Sequence, residues 1–398
     1  MLGAHRGLVG KLVQESAKSQ PSTNLIPPAK PFFAQSDIDE LKGHLEKILT
    51  SGMLTLGEYT KELERRFASL VGVRHAVAVN SGTSALEIAL RSHDLKEGDE
   101  VILPTNTFAA TCAAVAFAGG RPIITDVSRP AMTIDSEIMK GAITPRTKGI
   151  IAVHIGGIVC PDIENIRELC DEHGLFLIED AAHAHGSKIG ERSAGSFGSA
   201  GCFSFYPTKV MTSGEGGIVT TNDDTLAATA IILRDQGKES FNSNRIVRLG
   251  YNWRMPEICA AMGLVQLRRL QEFIASRNAI AKAYDRAIEK IGLERIVTPP
   301  KHVNNYYKYT FFLPKGVDRD RFKTMCRAQG VAYGGEVYWP PLHLQPAFAE
   351  FIDKRVRFDV SEEWGRRMVN PPIFSQMTSA QAERVVEVTA KALAELMS

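Results

Sequence analysis

His75-Ala76-Val77-Ala78-Val79-Asn80-Ser81-Gly82-Thr83-Ser84-Ala85-Leu86 reads as a strand, a turn and the start of a helix. Valine recurring at every second position favours extended chain, and Asn80-Ser81-Gly82-Thr83 halts it. From Ser84 to Leu90 the apolar residues return at helical spacing. The same unit recurs downstream. Glu100–Pro104 predicts a strand, Thr105-Asn106-Thr107 a turn, and Phe108–Ala118 an alanine-rich helix. Further strands are expected at 122–126, 149–154 and 175–179, with a helix at 163–173. Strands alternating with helices specify an α/β fold: a mostly parallel central sheet covered by helices on both faces. In such a sheet the ligand site lies at the carboxyl ends of the strands, where the loops gather.

Upstream, Ile38, Leu41, Leu45, Ile48 and Leu49 predict a helix over 36–50, and a second helical pattern covers 59–70. Beyond Gly250 the pattern changes. Helices are expected at 256–273, 275–291, 318–328 and 379–397, and short strands at 309–313 and 331–337. That mixture marks a smaller C-terminal α+β domain at 276–398, after a large domain at 25–275. Residues 1–24 end in Gln20-Pro21-Ser22-Thr23-Asn24 and read as a flexible extension, without an apolar core long enough for a secretion signal.

The 398 residues carry 47 basic and 45 acidic side chains, a net charge of +2. So even a balance points away from nucleic acid and membrane surfaces as partners. No apolar run approaches membrane-spanning length. The six cysteines lack a CxxC pair, which argues against a close-spaced metal site and for a reduced, cytoplasmic protein.

Four places carry chemistry. An aromatic strand, Cys202-Phe203-Ser204-Phe205-Tyr206, stops at Pro207, and Lys209 follows on a loop closed by Ser213-Gly214-Glu215-Gly216-Gly217. A confined lysine loses its proton readily and becomes a nucleophilic amine, although a lone loop lysine is usually solvated. Asp180 ends the apolar run Leu177-Ile178-Glu179, at the sheet edge, where a carboxylate needs a partner or caps the next turn. With His183 and His185 it could also ligate a metal, a minority reading because no second cluster accompanies it. At Asn80–Ser84, free helix-start amides with the Thr83 and Ser84 hydroxyls suit a phosphate, or Ser and Thr merely cap the helix. Arg254, in Gly250-Tyr251-Asn252-Trp253-Arg254, suits an anion or a surface ion pair, and Phe108 is either core or a stacking face. A nucleophilic lysine, a buried acid, a phosphate cradle and an aromatic at the loop edge are together what pyridoxal 5'-phosphate needs.

From about Ala29 to the C-terminus the chain also resembles the DegT/StrS-type sugar aminotransferases, a fold-type-I pyridoxal-phosphate family. The resemblance rests on NSGTSAL at 80–86, PTNTFAAT at 104–111, EDAAHAHG at 179–186, GSFG at 195–198, CFSFYPTK at 202–209, GEGG at 214–217, GYNWRM at 250–255 and PPLHLQPAF at 340–348. It implies that Lys209 links to the cofactor aldehyde and shuttles the proton, and that Asp180 binds the ring nitrogen. His183 is implied near the phenolic oxygen, where the family often has glutamine. Phe108 is implied to stack on the ring, and Gly82, Thr83 and Ser204 to hold the phosphate. Asn252 is implied to reach the phosphate from a second subunit, making a homodimer with shared active sites. Arg254, and with them Tyr338 and His343, would face the substrate, with packing in the small domain an equal reading for the last two. The implied reaction moves an amino group from glutamate or glutamine to a keto sugar, nucleotide-linked as is usual in that family. A cyclitol or other cyclic ketone is the alternative acceptor, dehydration an alternative reaction, and a catalytically silent regulatory relative the alternative of another class. No metal is expected.

Overall fold

The computed structural model describes residues 25–129 and 131–398. The extension expected at 1–24 lies outside the described residues. Helices α1 (Gln35–Ser51) and α2 (Glu58–Val71) precede the sheet. Its seven strands are β1 (His75–Val79), β2 (Glu100–Pro104), β3 (Arg121–Thr125), β4 (Thr147–Val153), β5 (Phe176–Asp180), β6 (Ala200–Ser204) and β7 (Gly217–Thr221). Their spatial order is β1-β7-β6-β5-β4-β2-β3. The pairs β2–β3, β2–β4, β4–β5 and β5–β6 are parallel, and only β7 runs against both its neighbours.

Both faces are buried, and alternate residues of one strand enter different cores. Ile102, Ile150 and Phe203 join Leu63 and Phe67 of α2 in one cluster. Val101, Ile151 and Cys202 face the other, against helices α3 (Gly82–Arg91), α4 (Ala109–Phe117) and α7 (Asp224–Arg234). The period of two along a strand makes this division, and near-continuous apolar runs follow from it. Helices α5 (Ser136–Ala142) and α6 (Ile163–His173) complete the crossovers.

The two helices expected at 256–273 and 275–291 are one, α8 (Glu257–Ile291). Ala275-Ser276 contains no breaker, so hydrogen bonding continues through it. At about 1.5 Å per residue the 35-residue rod places Phe273 in the first sheet core and Ile280, Tyr284 and Ile288 in a third core. That third core also takes Phe322 of α9 (Arg319–Ala328) and Val385 and Val388 of α11 (Ser379–Met397). Helix α10 (Asp359–Arg367) lies between them in sequence. The strand expected at 331–337 is reduced to one bridge between Val331 and Ile26, and that at 309–313 to Phe311–Phe312.

Two buried carboxylates fasten the loops that shape the site. Glu179 accepts from the amides of Gly195, Phe197 and Gly198 at 2.6–2.8 Å and from His154 Nε2 at 2.8 Å, which explains the GSFG segment ahead of β6. Glu257, at the start of α8, accepts from the amides of Gly57, Tyr59 and Thr60 and so caps α2 from another helix. A Cβ at Gly57 would lie 2.7 Å from the Glu257 carboxylate, so glycine there permits the approach.

Candidate active site

The carboxyl ends of β1, β2, β4, β5 and β6 open onto one cavity of about 410 Å³. It lies where an α/β sheet is expected to bind ligands, and its size suits a small molecule. Ser81, Gly82 and Thr83 enter from the turn after β1, Thr107 and Phe108 from that after β2, and Asp180 and His183 from β5. Ser204, Tyr206 and Lys209 follow β6, Glu215 precedes β7, and Tyr307 and Tyr338 come from the C-terminal region.

Lys209 is partly buried, and its Nζ has neither an acidic partner nor a hydrogen-bond acceptor among the described residues. The amine stands over the face of Tyr307, with Nζ 4.7 Å from the ring centre. The Tyr307 hydroxyl is 3.1 Å from Thr208 Oγ1, so ring and lysine loop are tied together. Desolvation pulls the Lys209 ammonium down to about 8; Asp180 opposes the fall and the nearby Lys308 adds to it. An amine so poised gives up its proton within the physiological range.

Asp180 is 6% exposed and has no cationic partner within ion-pair distance among the described residues. Its Oδ2 accepts from Thr111 Oγ1 at 2.7 Å and its Oδ1 from the Ala182 amide at 3.2 Å. Because Thr111 spends its one proton on Asp180, Thr107, 2.7 Å from Thr111 Oγ1, must donate to it. A hydroxyl relay from the first turn of α4 thus holds the carboxylate, which still lacks a counter-charge. Phe108 begins α4 and is 59% exposed, so its face is free to cover a flat ligand.

At α3 the Ser81 hydroxyl accepts from the Ser84 amide at 3.1 Å, and Ser84 Oγ donates to Asn80 Oδ1 at 2.7 Å. Ser81 thus caps the helix, and the Gly82 and Thr83 amides have no acceptor among the described residues. Ser84, however, is committed to Asn80 and is replaced at the cavity by Ser204. A Cβ at Gly82 would stand 2.7 Å from Ser204 Cβ, so β6 approaches only because position 82 is glycine.

His183 Nδ1 accepts from the Gly156 amide at 3.2 Å, so the proton of the neutral ring is on Nε2, 2.9 Å from the Tyr338 hydroxyl. Burial, then the charge of Lys209, holds His183 well below the usual histidine range. His185 points elsewhere, among Phe67, Phe203 and Phe205, so Asp180, His183 and His185 do not converge on one point. No cluster of three metal-ligating side chains occurs among the described residues.

Three residues expected at the site stand outside this cavity. Arg254 pairs with Asp235, and Asn252 is exposed on the same segment. His343 stacks on Phe358 with ring centres 3.9 Å apart and bonds to Thr105 Oγ1 at 2.7 Å, which is the packing reading. Conversely, Tyr307, Glu215 and the Thr107–Thr111 relay were not singled out from sequence. Only the relay leaves a sequence signal, two threonines one helical turn apart ahead of an apolar helix.

Residues 35–389 match the DegT/DnrJ/EryC1/StrS aminotransferase family. The chain belongs to this family. The aminotransferase is 34% identical over 347 residues to GDP-perosamine synthase of Caulobacter vibrioides, covering 86% of this chain and 92% of that protein. It superposes on DesV of S. venezuelae with a TM-score of 0.85 at 31% identity, covering 92% and 98% of the two chains. It also superposes on the PMP-form of the putative sugar aminotransferase Spr1654 of Streptococcus pneumoniae with a TM-score of 0.86 at 25% identity, covering 94% and 98%. The fold is therefore fold type I, and the enzyme is pyridoxal-phosphate-dependent. The residues present fit that cofactor. Among the described residues the cavity offers a lysine amine without a partner, a buried carboxylate without a cation, and helix-start amides without an acceptor, the complements of an aldehyde, a pyridinium and a phosphate.

Proposed function

We propose that this aminotransferase moves nitrogen from glutamate or glutamine onto a ketone carbon of a nucleotide-linked sugar. The observation that carries the reading is the pairing of the partner-free Lys209 amine with the cation-free Asp180 carboxylate in one cavity. GDP-perosamine synthase among the relatives supports the sugar acceptor. Bound there, pyridoxal phosphate supplies an aldehyde that carries the amino group and a ring that accepts the electron pair released at the reacting carbon.

The protein's own residues do the rest. Lys209 would hold the cofactor at its aldehyde carbon, and its amine would take the proton from the reacting carbon and return it. Asp180 keeps the ring nitrogen protonated, a charge-assisted bond worth about 1.5–3 kcal/mol before its growth along the reaction. The Gly82 and Thr83 amides and Ser204 Oγ would hold the phosphate, Phe108 would cover the ring, and His183, kept neutral, would turn its Nε2 proton, now 2.9 Å from the Tyr338 hydroxyl, toward the phenolic oxygen. Asn252, exposed beyond its own cavity, and Arg254, half-buried against Asp235, would serve the cavity of a second copy in a homodimer. His343 has no place in this scheme. The six free thiols suit a reducing cytoplasm.

The test is a panel of nucleotide-linked keto sugars and free keto cyclitols, incubated with nitrogen-15 glutamate or amide- and amine-labelled glutamine. Mass spectrometry should find the label in an amino sugar nucleotide. Label appearing only in cyclitols overturns the acceptor.

A further inference from the structure

Helix α4 begins without a side-chain cap. Phe108 occupies its cap position and offers no acceptor to the first amides. Two threonine hydroxyls flank that start, Thr107 before it and Thr111 in its first turn, and both side chains are buried. A helix start ordinarily draws such hydroxyls to its own amides. Here neither serves the helix. Thr111 Oγ1 donates to Asp180 Oδ2 at 2.7 Å, and Thr107 Oγ1 lies 2.7 Å from Thr111 Oγ1. Asp180 belongs to β5, and β4 stands between β5 and β2 in the sheet. The turn after β2 therefore reaches past a whole strand to touch this carboxylate.

The contact decides how the carboxylate is set. Its other oxygen, Oδ1, has the Ala182 amide at 3.2 Å, from the same turn as Asp180 itself. The last torsion of an aspartate is broad and nearly two-fold, so one local contact leaves the plane free to turn. A second donor, on the other oxygen and from a strand that is not a neighbour, removes that freedom. Each oxygen accepts from two directions, so both keep one for a ligand.

We propose that Thr111, oriented by Thr107, is a positioning residue for transamination: it sets the plane of the Asp180 carboxylate so that an oxygen meets the ring nitrogen of the cofactor. This rests on the reading of Asp180 as the partner of that nitrogen. A carboxylate already turned toward the ring need not reorganise as charge develops there. The relay thus acts on the reacting step and leaves binding of the amino donor alone.

The experiment is a competition for the cofactor-free enzyme between pyridoxal phosphate and its carbon analogue, in which C–H replaces the ring nitrogen while aldehyde and phosphate remain. The ratio of the two bound species is read by mass spectrometry, and its change between variants reports the nitrogen contact. Thr111→Val deletes the hydroxyl at nearly constant volume and should lower the preference for the natural cofactor by about tenfold. Thr111→Ser, which keeps the hydroxyl, should retain it. With the natural cofactor, Thr111→Val should also lower kcat by about tenfold with the KM for the amino donor unchanged. A merely structural role would weaken both cofactors alike, and an unchanged ratio in Thr111→Val overturns the proposal. Asp180→Asn separates the two levels of the argument. If it lowers the ratio and Thr111→Val does not, the relay fails while the role of Asp180 stands; if it leaves the ratio unchanged, the role of Asp180 fails and the proposal with it. Should Thr111→Val not fold, Thr107→Val removes the outer hydroxyl instead, and a ratio equal to that of the unaltered enzyme there counts equally against the proposal.

Discussion

Replacing Lys209 by methionine should make the cofactor-free protein more stable at pH 7 while abolishing its turnover. In the unfolded chain the lysine titrates at its ordinary 10.5, and in the folded one at about 8, because desolvation outweighs the help of Asp180. At about 1.4 kcal/mol per pH unit, that fall is a penalty of about 3 kcal/mol on the folded ammonium. The cavity mouth hydrates part of the side chain, so the net effect is nearer 2 kcal/mol. The sign follows from linkage. Below pH 8 the lysine is charged in both states and the folded protein bears the whole penalty. Between 8 and 10.5 the folded amine is neutral while the unfolded one is still charged, and the penalty disappears as the pH rises. Methionine fills a similar volume without a charge. Urea unfolding of cofactor-stripped wild-type protein and Lys209→Met at pH 7, 8.5 and 10 should therefore show the variant ahead at pH 7 and level by pH 10. A gap that does not change with pH, or a variant less stable at pH 7, would show that Lys209 is not held in a desolvated site.

Three other outcomes follow from the geometry. Asp180→Asn removes the charge but keeps the bond from Thr111, so the fold should persist while kcat falls by roughly 100-fold or more in steady-state assays. Gly82→Ala sets a Cβ against the Ser204 backbone and side chain, an overpacking of about 1–3 kcal/mol that should weaken cofactor retention more than melting temperature, measurable by equilibrium dialysis. Glu257→Gln replaces a carboxylate that caps α2 through three backbone amides and should cost about 1–3 kcal/mol in urea melts, whereas an unchanged midpoint would remove that carboxylate from the account of how α2 is anchored.

The site was legible where its chemistry depends on neighbours in the chain. Lys209 follows a proline-terminated strand, Asp180 ends an apolar run, and Gly82 sits between strand and helix, so local pattern alone marks the carboxyl edge of a parallel sheet. Eight of the expected residues share one cavity for that reason: Gly82, Thr83, Phe108, Asp180, His183, Ser204, Lys209 and Tyr338. His343 shows the limit. As a histidine in a proline-rich loop it could serve a substrate or a core, and only its stacking on Phe358 decides between them. Arg254 shows it too, since pairing with Asp235 depends on where the preceding loop returns.

Sequence by itself determined the layered α/β architecture, because alternation of apolar runs and helical spacing is a local property that sets which faces must be buried. It also marked the amine and the acid, because each stands at the end of a strand it can be counted from. Tertiary structure alone decided what surrounds them. Tyr307 comes to Lys209 from almost a hundred positions away, and α8 threads two cores through one unbroken rod. Arg277 comes to the lysine loop from the middle of that same helix, 68 positions away in the chain. Contacts of this kind depend on packing distances between remote segments, which no periodicity along the chain encodes.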